Sequence, residues 1–563
     1  MFHKKINEVG NPLVYVFLSL MVGCIYYGIN EELMGLAIFI VASFFICMFY
    51  YCGFSFSCIM SIFFIIGVLI NYSYYKVPSE INDEVRITKV SSFGIQGEFE
   101  GKSITIKTNR KDLKVGEKYK VAGKINRIQD KVSGVVGEVE PKFIVKTNDD
   151  LITKLYNVKR NIYYRLEENL GERKAGLISS IAFGYSDYLD AEDKDDMNNL
   201  GIIHSISVSG LHVVIIYGFF RIFLGSKLGI ILTGAYVIFT GSSYSSIRAF
   251  VMLACVEGAG ILKRNKSSIS TLCFSAIILV VYQPYCIFNI SFQLSYVATL
   301  GIIMYNKKLN EKLYKMPGKL RESLSLALSA QVFTLPFLIL IFKNFSVNFI
   351  VGNLFLAPFV DLMVITGNIL VITYIWPKVF DFCSYLNLYI IKAFDWTLDI
   401  IDKVSLPMFY GNEYIVLFYF FIMLSFYFVR KGYRSFIYIP LISILAIAIQ
   451  IYSPILNISY YNEGAILISY RGERVLMANK NQIDIKKLSE AAFATEYYRE
   501  EKLIRIKDIG SIKSQGKNYI LETPEKKYLL KMTSTENESK EYDIINFKDA
   551  PINRIFVISG KVV

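Results

Sequence analysis

The sequence predicts a mainly α polytopic membrane protein with a small extracytoplasmic β-barrel domain and a short C-terminal β-rich domain. Three observations predict it. Of the 563 residues, 53% are hydrophobic, above the roughly 45–50% of an ordinary soluble chain. The excess is gathered into runs of about 16–19 mainly apolar residues, close to what a hydrocarbon layer of about 30 Å demands. Two stretches, 77–150 and 453–563, are instead polar, with short alternating runs that read as strands.

Residues 1–76 hold three apolar runs, near 11–29, 33–50 and 54–75. Lys4 and Lys5 precede the first and Glu31 and Glu32 follow it, which puts the N-terminus in the cytoplasm. Further spans follow and no small-residue cleavage site stands out, so the first run is not read as a lone secretory signal. Three crossings place 77–150 outside. There Ser103-Ile104-Thr105-Ile106-Lys107 alternates with period two, and Val85–Phe93, Lys118–Ile128 and Glu138–Lys146 are similar runs divided by Gly94, Gly97, Gly101, Gly116 and Gly134. About five short strands suit a small OB-like barrel. Such barrels bind single strands through aromatics on a basic face; Phe93, Phe99, Tyr119 and Phe143 fit that use or the core equally.

Residues 151–200 read as connecting helices. Leu151, Leu155, Val158, Ile162 and Leu166 recur at helical spacing with Lys154, Lys159 and Arg160 among them. This amphipathic pattern fits a helix lying on the membrane or one packed on the barrel. Ala175–Phe183 is a short apolar helix, followed by the acidic, exposed-looking Asp187–Asp196.

Residues 201–452 are mostly membrane, with spans near 207–224, 228–242, 246–262, 268–284, 288–305, 323–342, 346–375, 380–402, 414–429 and 435–452. With that count the clusters Lys263-Arg264-Lys266, Lys307–Arg321 and Arg430-Lys431-Arg434 share the cytoplasmic side, and 453–563 emerges outside. Ile230–Gly241 is short and 346–375 contains Pro358, so a half-span or broken helix is expected at each. In the tail, Ala465–Ser469, Arg474–Met477, Tyr519–Leu521, Tyr528–Leu530 and Arg554–Ile558 read as strands.

The net charge of +13 fits nucleic acid, but basic cytoplasmic loops produce the same excess. All eight cysteines lie in or beside apolar runs and none forms a CxxC pair, so no disulfide framework is indicated.

The densest polar segment runs from Gly201 to Val213 and contains His204, Ser205, Ser207, Ser209, Gly210 and His212 at the mouth of an apolar run. It reads either as a polar entrance lining a path, where Gly210 lets the backbone leave helix, or as a serine-capped helix start. Arg248 follows Gly241-Ser-Ser-Tyr-Ser-Ser246 at the head of another apolar run. An arginine there costs roughly 2.5–3.5 kcal/mol at the centre of a span, so it faces a phosphate path or pairs with a carboxylate. Glu257 falls on the opposite helix face; Asp361 on another span is the candidate partner. Asn289, Ser291, Gln293 and Ser295, then Gln331 and Thr334, then Asn353 and Asp361, give the bundle a polar interior. The eight-residue gap between His204 and His212 does not suit a zinc pair on one helix. No GxSxG elbow and no GxxxxGK[ST] loop occurs.

In this order the segments resemble the ComEC family of competence DNA-uptake channels. His204-Ser-Ile-Ser-Val-Ser-Gly-Leu-His212-Val213 is similar to its HLLAVSGLHV pattern, and Leu177–Ile202 to its lead-in. Ser243–Ala249 resembles SPSVLRA, with Tyr244 in place of the usual proline. Phe292–Gly301 (FQLSYVATLG), Ser329–Pro336 (SAQVFTLP) and Gly352–Pro358 (GNLFLAP) continue the series across about 170–370. Many family members end in a metallo-β-lactamase-like domain. Here Asn462–Ile468 and Val475–Lys480 look like worn versions of its opening motifs, with Ala478 where the aspartate belongs, and no histidine follows His212. A binuclear zinc hydrolase needs several histidines, so 453–563 is expected to be a degenerate domain without that site.

The resemblance implies a channel importing single-stranded DNA across the cytoplasmic membrane during natural transformation. With no histidine after His212, no catalysis, cofactor or metal is expected. The resemblance also implies a surface DNA receptor and a cytosolic helicase-like translocase as partners, besides the lipid bilayer, and leaves a homo-oligomer open. His204, Ser209, Gly210, His212, Arg248 and Gln293 are the candidates for lining the path or holding its shape. The alternatives are a small-solute transporter and a degenerate non-functional relative.

Overall fold

The computed structural model describes residues 10–563 apart from 92–93, 109, 111, 132, 262–266, 407, 462–464, 479–484, 500–502, 507–508, 516–517, 532–541, 548–553, 559–560 and 563. Lys4, Lys5, Phe93, the cluster Lys263-Arg264-Lys266, Asn462-Glu463-Gly464 and Asn479-Lys480 therefore lie outside the described residues. The chain divides into unit 1 (Met1–Thr334 and Asn348–Leu406) and unit 2 (Leu335–Val347 and Pro407–Val563).

Unit 1 opens with α1 (Pro12–Ile29), α2 (Met34–Cys52) and α3 (Phe54–Tyr75), at the three apolar runs. Helices α1 and α3 meet through glycine. A Cβ on Gly23 would stand 2.3 Å from the Phe64 carbonyl oxygen, and one on Gly67 2.5 Å from that of Leu20. Small residues allow this approach where lipid offers no hydrophobic drive for association. Phe39, Ile46 and Phe49 of α2 are exposed, as a lipid-facing helix requires.

The polar stretch then folds as β1 (Glu80–Ser91), β2 (Gly94–Phe99), β3 (Lys102–Ile106), β4 (Lys118–Asn126) and β5 (Val135–Lys146). They close a barrel in the order β1-β2-β3-β5-β4, with β1 pairing both β2 and β4. The predicted alternation is kept: Ile104 and Ile106 are fully buried, beside Val85, Val121, Val136 and Val139. Phe99 and Tyr119 also point into this core, whereas Phe143 is exposed. Helix contacts mount the barrel. Tyr74 Oη donates to Gly134 O at 2.9 Å, Lys131 pairs with Glu31 at 2.8 Å, and Arg86 with Asp150.

Asp150 caps α4 (Leu151–Leu170), accepting from Thr153 N at 2.9 Å. The Arg86 guanidinium holds its carboxyl well below the usual carboxylate range. Helix α4 packs inside the protein rather than on a membrane surface. Ile162, Tyr163 and Leu166 are fully buried, Lys159 is 2% exposed, and Arg160 reaches Glu117. It covers α5 (Glu172–Phe183), the most buried helix of the core, which α6 (Ala191–Asn199) follows. The acidic stretch around α6 is not simply exposed: Asp193 is buried and pairs with Arg173 at 2.6 Å.

Next come α7 (Gly210–Thr240), α8 (Tyr244–Ile261), α9 (Ser268–Tyr282), α10 (Ile290–Lys312), α11 (Gly318–Phe342), α12 (Phe349–Phe355), α13 (Ala357–Thr373) and α14 (Pro377–Asp402). A straight α7 would be about 46 Å long, yet Ser243 Oγ donates to Val208 O at 3.1 Å. The chain reverses at Gly225, whose φ of 77° breaks the helix, and Gly229 packs back on Tyr217 and Arg221. The spans predicted at 207–224 and 228–242 are thus the two arms of one hairpin, each about 22 Å long. The break expected in 346–375 is also found: α12 and α13 meet at 47°. The span expected at 380–402 is instead amphipathic. Asp381 and Asp395 of α14 pair with Arg165 and Arg173 of α4 and α5, at 3.0 and 3.1 Å. By length and composition six helices among the described residues suffice to cross a membrane (α1, α2, α3, α11 and two in unit 2), or seven with the bent pair; α7 is apolar and long enough only when its two arms are counted as one helix.

Unit 2 holds the end of α11, the short strands β6 (Asn344–Phe345) and β7 (Phe409–Tyr410), and α15 (Glu413–Arg430) and α16 (Ile439–Ile451). Strands β8 (Leu456–Tyr461), β9 (Ala465–Tyr470) and β10 (Glu473–Ala478) follow, then α17 (Ile485–Ala491) and β11 (Glu496–Tyr498). After them come β12 (Leu503–Ile506), β13 (Gly510–Gln515), β14 (Asn518–Glu522), β15 (Lys527–Lys531), β16 (Asp543–Asn546), β17 (Arg554–Ile558) and β18 (Lys561–Val562). They form two sheets, β11-β10-β9-β8-β17-β18 and β12-β13-β14-β15-β16, over a shared core around Ile458, Ile468, Ile512 and Leu530. Each of the five strands expected in the tail is present.

Candidate functional site

The polar segment before α7 is built on backbone that only glycine accepts easily. Gly201 has φ 68°, and a Cβ there would stand 2.7 Å from Phe349 Cβ. A 3-10 turn, Ile203–Ser205, follows and presents His204 at the surface. Ser180 Oγ donates to Ile206 O at 3.0 Å, tying the turn to α5.

Ser209 is the N-cap of α7. His212 N donates to Ser209 Oγ at 3.5 Å, and Ser209 N donates to His212 Nδ1 at 3.4 Å. This is a reciprocal capping box in which histidine takes the place of the usual Glu or Gln. An Nδ1 that accepts leaves the ring proton on Nε2. His212 is 2% exposed, so its imidazole serves the helix start.

Gly210 begins the helix regularly; it does not divert the backbone. Its importance is the space above it. A Cβ at Gly210 would lie 2.7 Å from an Arg248 terminal nitrogen and 3.2 Å from Ala249 Cβ. The serine run before α8 closes the same junction. Ser245 Oγ accepts from Gly210 N at 3.0 Å, Ser243 Oγ donates to Val208 O, and Ser246 Oγ donates to Ser243 O at 2.9 Å.

Arg248 is half-buried on α8. Its Nε donates to Ser295 Oγ at 2.8 Å and a terminal nitrogen donates to Thr299 Oγ1, both hydroxyls on α10. Thr299 Oγ1 in turn donates to Ser295 O at 2.8 Å. Among the described residues no carboxylate forms an ion pair with Arg248. The partner expected at Asp361 is therefore not found, and Glu257 lies 3.6 Å from Arg221 of α7 instead. Neutral hydroxyls orient a guanidinium without cancelling its charge, so the junction of α7, α8 and α10 keeps a net positive centre.

Of the six predicted residues, Ser209, Gly210, His212 and Arg248 come together here. Gln293 does not: its Nε2 donates to Ile287 O at 2.8 Å and anchors the turn before α10. His204 is exposed on its turn, near enough to His212 for the two imidazoles to interact electrostatically. Sequence reasoning did not single out Thr299 or Ser245. The four-residue step from Ser295 to Thr299, one face of a helix, was the available signal. Among the described residues no group of three or more His, Cys, Asp or Glu is placed to hold a metal ion.

Fold and site together define a polytopic membrane protein with a glycine-seated arginine at a junction of three helices. Comparison with known proteins agrees with that class. Residues 181–432 match the family model described as Competence protein. The chain is similar to ComE operon protein 3 of Bacillus subtilis (strain 168), with 25% identity over 225 residues. That match covers 38% of this chain and 28% of the relative, so the chain spans well under half of the relative's length. No solved structure matches significantly. Over residues 181–432, under half of the chain, the sequence is thus similar to the Competence protein family, and the relative supports a likeness to its ComEC type.

Proposed function

We propose that this protein takes part in DNA uptake during competence, and that unit 1 forms the route by which single-stranded DNA crosses the cytoplasmic membrane. One observation carries the reading: Arg248 is held open between Ser295 and Thr299, with no ion-pair partner among the described residues, against a glycine that leaves it room. A polyanion crossing lipid must exchange its hydration for fixed donors and cations, because phosphates do not enter hydrocarbon. A guanidinium already bound to a carboxylate would offer little; one bound to hydroxyls retains attraction for phosphate.

The barrel is OB-like in this reading, since its closed five-strand order is that of a Greek-key barrel. In this reading the N-terminus is cytoplasmic and three crossings precede the barrel, so the barrel lies outside. Of its described candidate aromatics only Phe143 is exposed, too few for a stacking platform, so its part is to be mounted at the entrance. Energy comes from a cytosolic helicase-like partner and DNA from a surface receptor. The tail carries no zinc hydrolase: no histidine follows His212. Purified protein is expected to take up no stoichiometric zinc, and a tight site in a metal titration contradicts this part.

The route itself is tested by transformation. Arg248→Gln is expected to cut DNA entry into the cytosol by about tenfold or more, the worth of a charged hydrogen bond, at normal protein level; undiminished entry removes the arginine from the route.

A further inference from the structure

Unit 2 buries a second arginine that the uptake reading does not use. The sheet register fixes its neighbours. Asn457 of β8 stands opposite Ser469 of β9, Ser469 opposite Arg474 of β10, and Ser459 of β8 opposite Arg554 of β17. Opposed residues project from the same face, so these five polar side chains share one side of the sheet. The next residues along, Ile458, Ile468 and Ile555, turn the other way into the core. Five polar residues in adjoining positions on a sheet face are costly to cover unless something hydrogen-bonds them. Here the face is covered: with Glu413 of α15 and Gln450 of α16 it walls a pocket.

The charges in that pocket do not balance. Arg554 Nε donates to Ser459 Oγ at 3.2 Å, and a terminal nitrogen lies 3.7 Å from Glu413 Oε1. Glu413 is the single acid among the lining residues. Arg474 is 5% exposed, and its Nε is buried with no hydrogen-bond partner among the described residues. No described carboxylate forms an ion pair with it. A largely buried guanidinium with no ion pair and its Nε sealed off is unfavourable, and the side chain presents a planar fork suited to oxyanions. The enclosed volume is about 10 Å³, room for one oxygen-sized atom. An occupant therefore has room for at most one oxygen inside the pocket that Arg474 and Arg554 line, with the rest of it at the mouth.

We propose that this pocket is a binding site for a phosphate-type oxyanion, with Arg474 and Arg554 as its cations and Ser469 and Asn457 as neutral donors. The site is separate from the uptake route and does not depend on it. Charge favours a free phosphate or a terminal phosphomonoester, which carries close to two negative charges at pH 7 against one for an internal phosphodiester.

The test uses full-length protein in nanodiscs and calorimetric titration in chloride buffer. The ligands are inorganic phosphate and a short oligothymidylate with or without a 5′-phosphate. Saturable phosphate binding is expected, with the 5′-phosphorylated oligonucleotide binding better at this site than its unphosphorylated form if the terminal group is the natural source. Arg474→Met, which keeps volume and removes the unpaired charge, is expected to weaken phosphate binding by about tenfold or more. It should also raise the melting temperature measured without phosphate. Arg554→Gln should weaken binding similarly and carries the test if the first variant does not fold. Arg505→Gln, on β12, should bind as wild type. Absence of saturable phosphate binding by the wild type, or wild-type affinity in both pocket variants, overturns the proposal.

Discussion

A guanidinium among hydroxyls is a different object from one in an ion pair, and Arg248 depends on its neighbours for the distinction. Ser295 and Thr299 fix two of its nitrogens, while Gly210 leaves the space the third nitrogen occupies. Gly210→Ala therefore tests the seat without touching the charge. The added methyl would meet Arg248 at 2.7 Å and Ala249 at 3.2 Å, and overpacking of this kind costs about 1–3 kcal/mol. The expected outcome is a lower melting temperature and reduced DNA entry, with a larger fall in entry than in protein level; wild-type entry would show the seat to be unimportant. At this scale the sequence was informative about which residues are unusual and poor on why. The pair His212 and Ser209 stood out as polar groups at an apolar boundary, but their reciprocal cap is a backbone fact that residue types do not disclose. Arg248 stood out because charge in an apolar run is costly. Of its true partners, Ser295 was read only as part of a polar bundle interior and Thr299 was not named, because a serine and a threonine four apart on a helix are common.

Helix α4 shows how an element's surroundings decide its chemistry. Its basic residues suit a membrane surface, yet the apolar face is claimed by α5 and the barrel. Lys159 is drawn in with it, its Nζ 5.0 Å from the centre of the Tyr156 ring and 5.3 Å from that of Phe239. Burial pushes its amine down to about 8, partly offset by Asp187. An amine whose folded value lies below its unfolded value of about 10.4 opposes folding when charged in both states, and that penalty fades as pH rises from about 8 to about 10.4. Lys159→Met is expected to raise the melting temperature at pH 7, by an amount on the order of 3 kcal/mol of stability, and to gain much less near pH 10. An equal gain at both pH values would contradict a charged buried amine. Elsewhere, elements were legible where one apolar period ran uninterrupted, as in α1–α3, or where proline marked the break between α12 and α13. The hairpin in α7 was read as two spans because a reversal at Gly225 leaves the apolar composition of both arms unchanged. Helix α14 was read as a span because its charges are spaced along one face, where a run-length criterion overlooks them.

For the whole molecule, unit 1 joins a barrel with a core of its own to a buried helix pair and the α7–α8–α10 junction. The barrel cannot swing freely: Tyr74, Lys131 and Arg86 each tie it to the helices. A mounted barrel beside a bundle with an unneutralised arginine is the layout expected of a polyanion route. The net charge of +13 assists such a role through steering, though loop lysines account for much of it. The family was legible from short motifs because these are the residues that make the junction: the serine–glycine–histidine cap, the arginine helix and the hydroxyl-bearing helix α10. The C-terminal pocket was not legible, because strand register brings Asn457, Ser469 and Arg474 together from separate strands. The most direct measurement is recovery of labelled DNA from the cytosol of competent cells carrying Arg248→Gln, beside wild type, with surface-bound DNA and membrane protein level measured in the same cells. The account predicts unchanged surface binding and protein level, with cytosolic DNA reduced by about tenfold or more. Cytosolic DNA equal to wild type at equal protein level would contradict it.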